Sequence, residues 1–217
     1  WVVLLFGDEV IPATILGVAA GRETHGHRFH RPQPIRLTAP ADYARQLTSE
    51  GQVIADFAAR RAAIRAQAEA VATELRGTAV IKPELLDEVA ALVEWPVALA
   101  GNFERRFLNV PAEALISTMQ DNQRYFPVVD TQGRLLPHFI TIANLESRDP
   151  AQVRAGNERV IRPRFSDAEF FWNQDRKQPL AARLESLKHV VFQQRLGTMA
   201  DKSARVAALA RFIAGHG

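Results

Sequence analysis

An α+β fold, with a mixed-sheet domain followed by a helical segment, is what this chain of 217 residues predicts. Three observations carry it. Strand-like apolar runs cluster before residue 145. Helical patterns dominate after Asp149-Pro150. Among the strands, one long helix of about Phe57 to Arg76 repeats apolar residues at helical spacing behind an acidic cap.

Taken in order, Trp1 to Phe6 is a β-type apolar run and Gly7-Asp8-Glu9 a turn. Val10 to Val18 continues as a second strand interrupted by Pro12, so the pair reads as a hairpin with Pro12 at an edge or bulge. Gly21 to Pro34 is rich in Gly, Pro and His and reads as a long loop, followed by a short strand at Ile35 to Leu37. A helix of about Pro40 to Ser49 stops at Gly51. Asp56 is the expected N-cap of the long helix, and Phe57, Ile64, Ala68, Val71 and Leu75 are its inward stripe. Gly77 is its stop. Pro83 in a first turn opens a helix to about Val93. Val97 to Ala100 reads as a strand and Pro111 to Met119 as a short helix. Tyr125 to Val129 and Phe139 to Asn144 read as a hairpin around Asp130-Thr131-Gln132-Gly133. After Pro150 the helix is expected to kink or break near Ile161, because Pro163 lacks an N–H and crowds the preceding turn. Pro179 starts another helix. Leu196-Gly197 is the joint before the last one, about Met199 to Ala214.

Composition sets the broad class. With 47% apolar residues the chain can bury a substantial core. A net charge of +3, from 27 basic against 24 acidic residues, tolerates a polyanionic partner without demanding one. The absence of cysteine excludes disulfides, thiolate zinc sites and Cys nucleophiles, and is compatible with a cytoplasmic protein. No apolar run approaches the ~18 residues that a membrane helix needs. A strand-like run begins at Trp1 without Met, and a helical pattern ends at Gly217, so the chain reads as an excised piece of a longer one.

The stretch Asn157 to Asp175 holds the most suggestive chemistry. Arg159, Arg162 and Arg164 are followed by Phe170, Phe171 and Trp172. Guanidinium groups neutralise phosphates and flat rings stack on bases, so this is a set of side chains suited to RNA. A plain amphipathic helix, with its rings inward and Asp167, Glu169 and Asp175 pairing the arginines, is the competing reading. His25, His27 and His30 share one loop. Metal binding is disfavoured there because Arg22, Arg28 and Arg31 repel a cation and Glu23 is the one acid. A phosphate contact by His27 and Arg28, or a purely structural loop, fits better. Arg124 and Lys177 complete the RNA-contact candidates. Neither phosphate-binding glycine loop is present, no Gly-x-Ser-x-Gly elbow occurs, and no carboxylate pair stands out. No catalytic residue and no metal ligand is assigned, and this piece is expected to lack a self-contained active site.

Several segments in order resemble one family. They are Gly26-His27-Arg28-Phe29, then Leu92-Val93-Glu94-Trp95-Pro96-Val97, then Val110-Pro111-Ala112-Glu113-Ala114-Leu115 with Met119 and Gln123-Arg124-Tyr125-Phe126-Pro127. Leu135-Leu136-Pro137 and Ala143-Asn144-Leu145-Glu146-Ser147 follow. Next come Asn157 through Arg162-Pro163-Arg164 to Phe170-Phe171 and Asp175. Phe192-Gln193-Gln194, Leu196-Gly197-Thr198 and Asp201-Lys202 close the series. Together they resemble the β subunit of bacterial heterotetrameric glycyl-tRNA synthetases.

The resemblance implies a class II ligase that couples ATP hydrolysis to charging tRNA(Gly) with glycine. The adenylate-forming site, with its ATP and Mg²⁺, belongs to the α subunit, and two α and two β subunits assemble. No cofactor is expected in this piece. Residues 1–150 would be an N-terminally truncated domain resembling the B3/B4 module of phenylalanyl-tRNA synthetase. Residues 151–191 would be a helical linker with the Pro163 kink, and 192–217 the start of an HD-like helical domain. The histidines and aspartate of an HD-type site would lie beyond Gly217. Phe165 departs from the family's usual Leu, and Trp172 extends its aromatic pair. Three roles follow: engagement of tRNA(Gly) with support for assembly, a purely structural scaffold docking the α subunit, or a deacylating editing hydrolase. The last is disfavoured, since a tight pocket for the smallest amino acid excludes larger ones without a second sieve.

Overall fold

The computed structural model describes residues 1–216. They form two compact units, Trp1–Ala168 and Glu169–Gly217. The fold is α+β.

The first unit opens with short strands: β1 (Val2–Val3), β2 (Leu5–Phe6), β3 (Glu9–Val10), β4 (Thr14–Ile15), β5 (Val18–Gly21), β6 (Glu23–His25) and β7 (Pro34–Arg36). β2 and β3 form the expected hairpin, with Leu5 opposite Val10 and Gly7 turning at φ 59°. The second strand expected from Val10 to Val18 is instead divided. Pro12 ends pairing after β3, and β4 and β5 make a hairpin of their own. Its two-residue turn, Leu16-Gly17, has φ of 50° and 79°, the doubly positive geometry that matches strand twist. β5 then lies parallel to β1, Val2 opposite Ala20. The segment read as a long loop also contains β6, antiparallel to β7, with buried Thr24 facing buried Ile35.

Helix α1 (Tyr43–Ser49) follows a 3₁₀ turn at Pro40–Asp42, and α2 (Phe57–Glu74) begins where Asp56 Oδ1 accepts from Ala59 N at 2.7 Å. Ile64, Ala68 and Ala72 form the fully buried stripe of α2, whereas Phe57 is exposed on its first residue. The helix closes with Gly77 N donating to Ala72 O and Arg76 N to Thr73 O, both at 2.9 Å. Arg76 itself takes the left-handed conformation, φ 58°. Gly77 is needed for room instead: a Cβ there would lie 2.5 Å from Val128 Cγ1.

The central sheet runs β8-β10-β11-β9, all antiparallel. Its members are β8 (Thr78–Ala79), β9 (Val97–Asn102), β10 (Phe126–Val129) and β11 (Leu135–Ala143), with α3 (Pro83–Leu92) and α4 (Ala112–Ser117) between them. Asp130 builds the β10–β11 turn, accepting at Oδ1 from Gln132 N and Arg134 N at 2.8 and 2.9 Å. Alternation then sorts the side chains. Phe126, Val128 and Ile140 pack with Ile64, Ala68 and Ala72 of α2 and with Leu86, Val89 and Ala90 of α3. The ring of Phe139, next to Ile140, stacks on Tyr125 at 4.5 Å and 14°. Gly101 makes that possible, because a Cβ at 101 would stand 2.2 Å from Phe139 Cζ.

Helix α5 (Pro150–Asp175) buries Ile161 and Phe165, whose ring meets Phe103 and Phe107 edge-on at 4.9 and 5.6 Å. It runs unbroken through Pro163, so the expected break does not occur. Pro163 and Arg159 are both exposed, so water can reach the carbonyl that proline leaves without a donor. The edge strand β9 is tied down by side chains from two helices. Ala98 N donates to Gln67 Oε1 of α2, and Asn102 N to Glu158 Oε1 of α5, each at 2.9 Å.

The second unit holds 3₁₀ turns at Leu180–Arg183 and Glu185–His189, the strand pair β12 (Val191–Gln193) and β13 (Gly197–Thr198), and α6 (Met199–Ala214). Gly197, at φ 83°, is the expected joint. Thr198 and Asp201 form a reciprocal capping box: Thr198 N donates to Asp201 Oδ2 at 2.8 Å and Asp201 N to Thr198 Oγ1 at 3.2 Å. The Thr198 backbone N–H is the leading cause that holds the Asp201 carboxyl below its ordinary value. Among the described residues no helix is long and apolar enough to cross a membrane.

Candidate nucleic-acid interface

The loop between β6 and β7 is held by one imidazole. His27 is fully buried. Its Nδ1 accepts from the N–H groups of Phe29 and His30, at 3.3 and 3.4 Å. Nε2 therefore carries the proton and donates to Asn144 O at 2.5 Å. The Asn144 side chain continues the network, its Oδ1 accepting from Glu94 N at 2.6 Å and Trp95 N at 3.1 Å. His30 Nε2 accepts from Glu146 N at 3.0 Å. Gly26 lets the loop approach: a Cβ there would lie 2.6 Å from Gly51 Cα, and His27 N donates to Gly51 O at 2.7 Å. Three segments that carry the family resemblance, far apart in the chain, thus meet at Asn144.

This arrangement withdraws His27 from the phosphate-contact candidates, because both ring nitrogens are spent inside the fold. Nor do the three histidines converge, and no group of three or more metal-ligating side chains is assembled among the described residues. What the loop presents outward is Arg28, with its guanidinium 5.8 Å from the ring of Phe29. Phe29 is 70% exposed. Sequence reasoning alone misses it, although one signal points to it: an aromatic standing in a basic, otherwise polar loop. Beside Arg28 lies an open groove of about 530 Å³ lined also by His25, Gly26, Arg31 and Glu94.

The arginines of α5 have different fates. Ile161 and Phe165 face inward. At 3.6 residues per turn, Arg162 and Arg164 fall on opposite flanks of that inward face, about 160° apart, and Arg159 points away from it. Arg162 Nε contacts Glu104 Oε1 at 2.5 Å, across the gap from α5 to the 3₁₀ turn that begins at Arg105. Desolvation opposes ionisation of Glu104. Its own backbone N–H, the Arg162 hydrogen bond, and the charges of Arg162 and Arg106 together hold the carboxyl below its ordinary value. Arg164 lies on the Tyr125 side, where its charge acts on the phenol. Arg159 and Arg164 are exposed and make no hydrogen bond or ion pair among the described residues. Burial pushes Tyr125 up to about 12, with the Arg164 charge opposing, and its hydroxyl donates to Asn157 Oδ1 at 2.7 Å.

Arg124 is paired at the surface. Its backbone is left-handed at φ 59°, its Nε meets Glu88 Oε1 at 2.5 Å, and a second nitrogen contacts the Asp121 carbonyl. Lys177, in the second unit, is exposed. In that unit Phe170 and Phe171 are also exposed, their rings edge-on at 5.4 Å, and Arg176 sits 5.4 Å from the Trp172 ring. Asp175 pairs with Arg183 at 3.4 Å, not with the arginines upstream.

The glycyl-tRNA synthetase beta subunit family model matches residues 1–217. The chain is 60% identical to the glycine–tRNA ligase beta subunit of Hahella chejuensis. It is 57% identical to that of Pseudomonas putida strain W619 and 56% to that of Pseudomonas savastanoi pv. phaseolicola. Each match covers 214 residues, 99% of this chain and 31% of the relative's length. Matched along its whole length by that family's model, the chain belongs to the glycyl-tRNA synthetase beta subunit family.

Proposed function

We propose that this part of a glycine–tRNA ligase β subunit helps hold tRNA(Gly) and organises the subunit, while the bond-making centre sits on an α subunit. The observation that carries the reading is the pair Arg159 and Arg164, exposed cations on α5 that make no hydrogen bond or ion pair among the described residues. A buried or paired arginine serves the fold; an exposed unpaired one is available to a phosphate. Arg28 joins them on the same ground. The rest of the reading extends what the resemblance implies to this chain: a class II, ATP-dependent ligase of α and β subunits in the cytoplasm, and a B3/B4-like first domain. ATP and Mg²⁺ are assigned to the α subunit.

A scaffold role is the second reading, favoured by Arg162 and Arg124, which close onto Glu104 and Glu88. One experiment separates the two. In the assembled α/β enzyme, Arg159→Gln with Arg164→Gln weakens tRNA binding and flattens its log–log salt dependence by about 0.7–0.9 for each phosphate that is no longer neutralised. Arg162→Gln leaves that slope alone and costs under about 1 kcal/mol of stability, as exposed ion pairs do. An unchanged slope in the double variant, with α-subunit association abolished instead, would establish the scaffold role.

A further inference from the structure

We infer that Phe29, with Arg28 beside it, is a stacking platform for an unpaired nucleotide of the bound tRNA. The inference rests on the tRNA-holding reading above and names a contact that it does not include.

A phenylalanine 70% exposed forgoes the burial that normally favours the side chain, so its position calls for a reason. Here the backbone beneath it is unusually well fixed. Phe29 N donates to His27 Nδ1, Arg31 N donates to His27 O at 2.7 Å, and His27 is itself bonded to Asn144. His30, the next residue, is pinned by Glu146. The ring is therefore presented on a loop with little freedom left to lose, and a partner binding there is spared that ordering cost.

The surroundings decide the partner's chemistry. An apolar protein surface would call for apolar neighbours around the ring. Phe29 instead lies between Arg28 and His30 in the chain, and the groove that Arg28 lines holds Arg31 and the carboxylate of Glu94 together with Trp1, His25 and Pro32. A flat ring with a guanidinium beside it suits a flat base attached to a phosphate. The base lies on the ring, and Arg28, 5.8 Å from the same ring, meets the neighbouring phosphate or stacks in turn.

The test uses the assembled α/β enzyme and unacylated tRNA(Gly), with Kd measured across a range of KCl concentrations. Phe29→Ala should weaken binding about 5- to 150-fold, the effect of removing one stacked base, at every salt concentration. The salt slope should not change, since stacking releases no counterions. Phe29→Tyr should restore affinity. Arg28→Gln should lower the slope by about 0.7. Wild-type affinity in Phe29→Ala, while Arg159→Gln/Arg164→Gln still weakens binding, overturns the platform and leaves the wider reading standing. Wild-type affinity in all of them overturns both. A fall in thermal midpoint or loss of the α subunit in Phe29→Ala, with tRNA affinity intact, shows a protein surface over the ring and also overturns the inference.

Discussion

His27 gives its Nε2 proton to the main-chain carbonyl of Asn144, 2.5 Å away and 117 positions along the chain. This bond and its neighbours at Glu94 and Trp95 fasten the N-terminal loop, the turn after α3 and the end of β11 to one another. The histidine acts as a rivet, and its stability consequences can be measured.

Replacing His27 with Ala opens a cavity and strands the Asn144 carbonyl and the N–H groups of Phe29 and His30. The expected loss is about 2–4 kcal/mol in urea unfolding of the β subunit. His27→Phe fills the space but restores none of the bonds, so it should recover only the smaller part. Wild-type stability in either variant would show the network to be incidental.

Tyr125 gives a pH signature at the alkaline end. Its folded pKa, raised by burial from 10.0 to about 12, means that the native state holds a proton the unfolded chain has released. The contribution is therefore complete below about pH 10 and is lost as pH rises toward about 12, a total of roughly 2–3 kcal/mol. Tyrosinate absorbance of the folded subunit should lag behind that of the urea-unfolded chain, and Tyr125→Phe should abolish the lag.

Gly101→Ala sets a methyl group against the Phe139 ring, which is already stacked on Tyr125 and cannot retreat freely. About 1–3 kcal/mol of destabilisation is expected from overpacking. Pairing it with Phe139→Leu should recover part of that loss, a coupling that a double-mutant cycle in urea would read directly.

What the chain discloses in advance is local. Asp56 caps α2 and Asp130 folds its hairpin through bonds to residues two to four positions away, so short windows suffice to find them. The failures are places where a distant partner decides. β6 is invisible in sequence because Thr24 alone of its residues is buried, opposite Ile35. Pro163 resembles a break, yet Ile161 and Phe165 on either side of it are gripped by the core. Proline's missing bond faces solvent, and packing outweighs it. His27 resembles a surface imidazole among arginines because nothing near it in sequence reveals Asn144. The α5 arginines are legible as a cluster, but their separation onto different sides, with only Arg162 neutralised by Glu104, belongs to three dimensions.

The side chains of Gln67 and Glu158 have a consequence beyond holding helices to the sheet. The outer rim of β9 offers main-chain donors to any extended peptide that drifts past, and such rims are where chains clump. By occupying the N–H groups of Ala98 and Asn102, these two residues leave an incoming segment few hydrogen bonds to claim. Removing both should let newly made subunits stick to each other during folding, turning a modest loss of stability into a loss of yield.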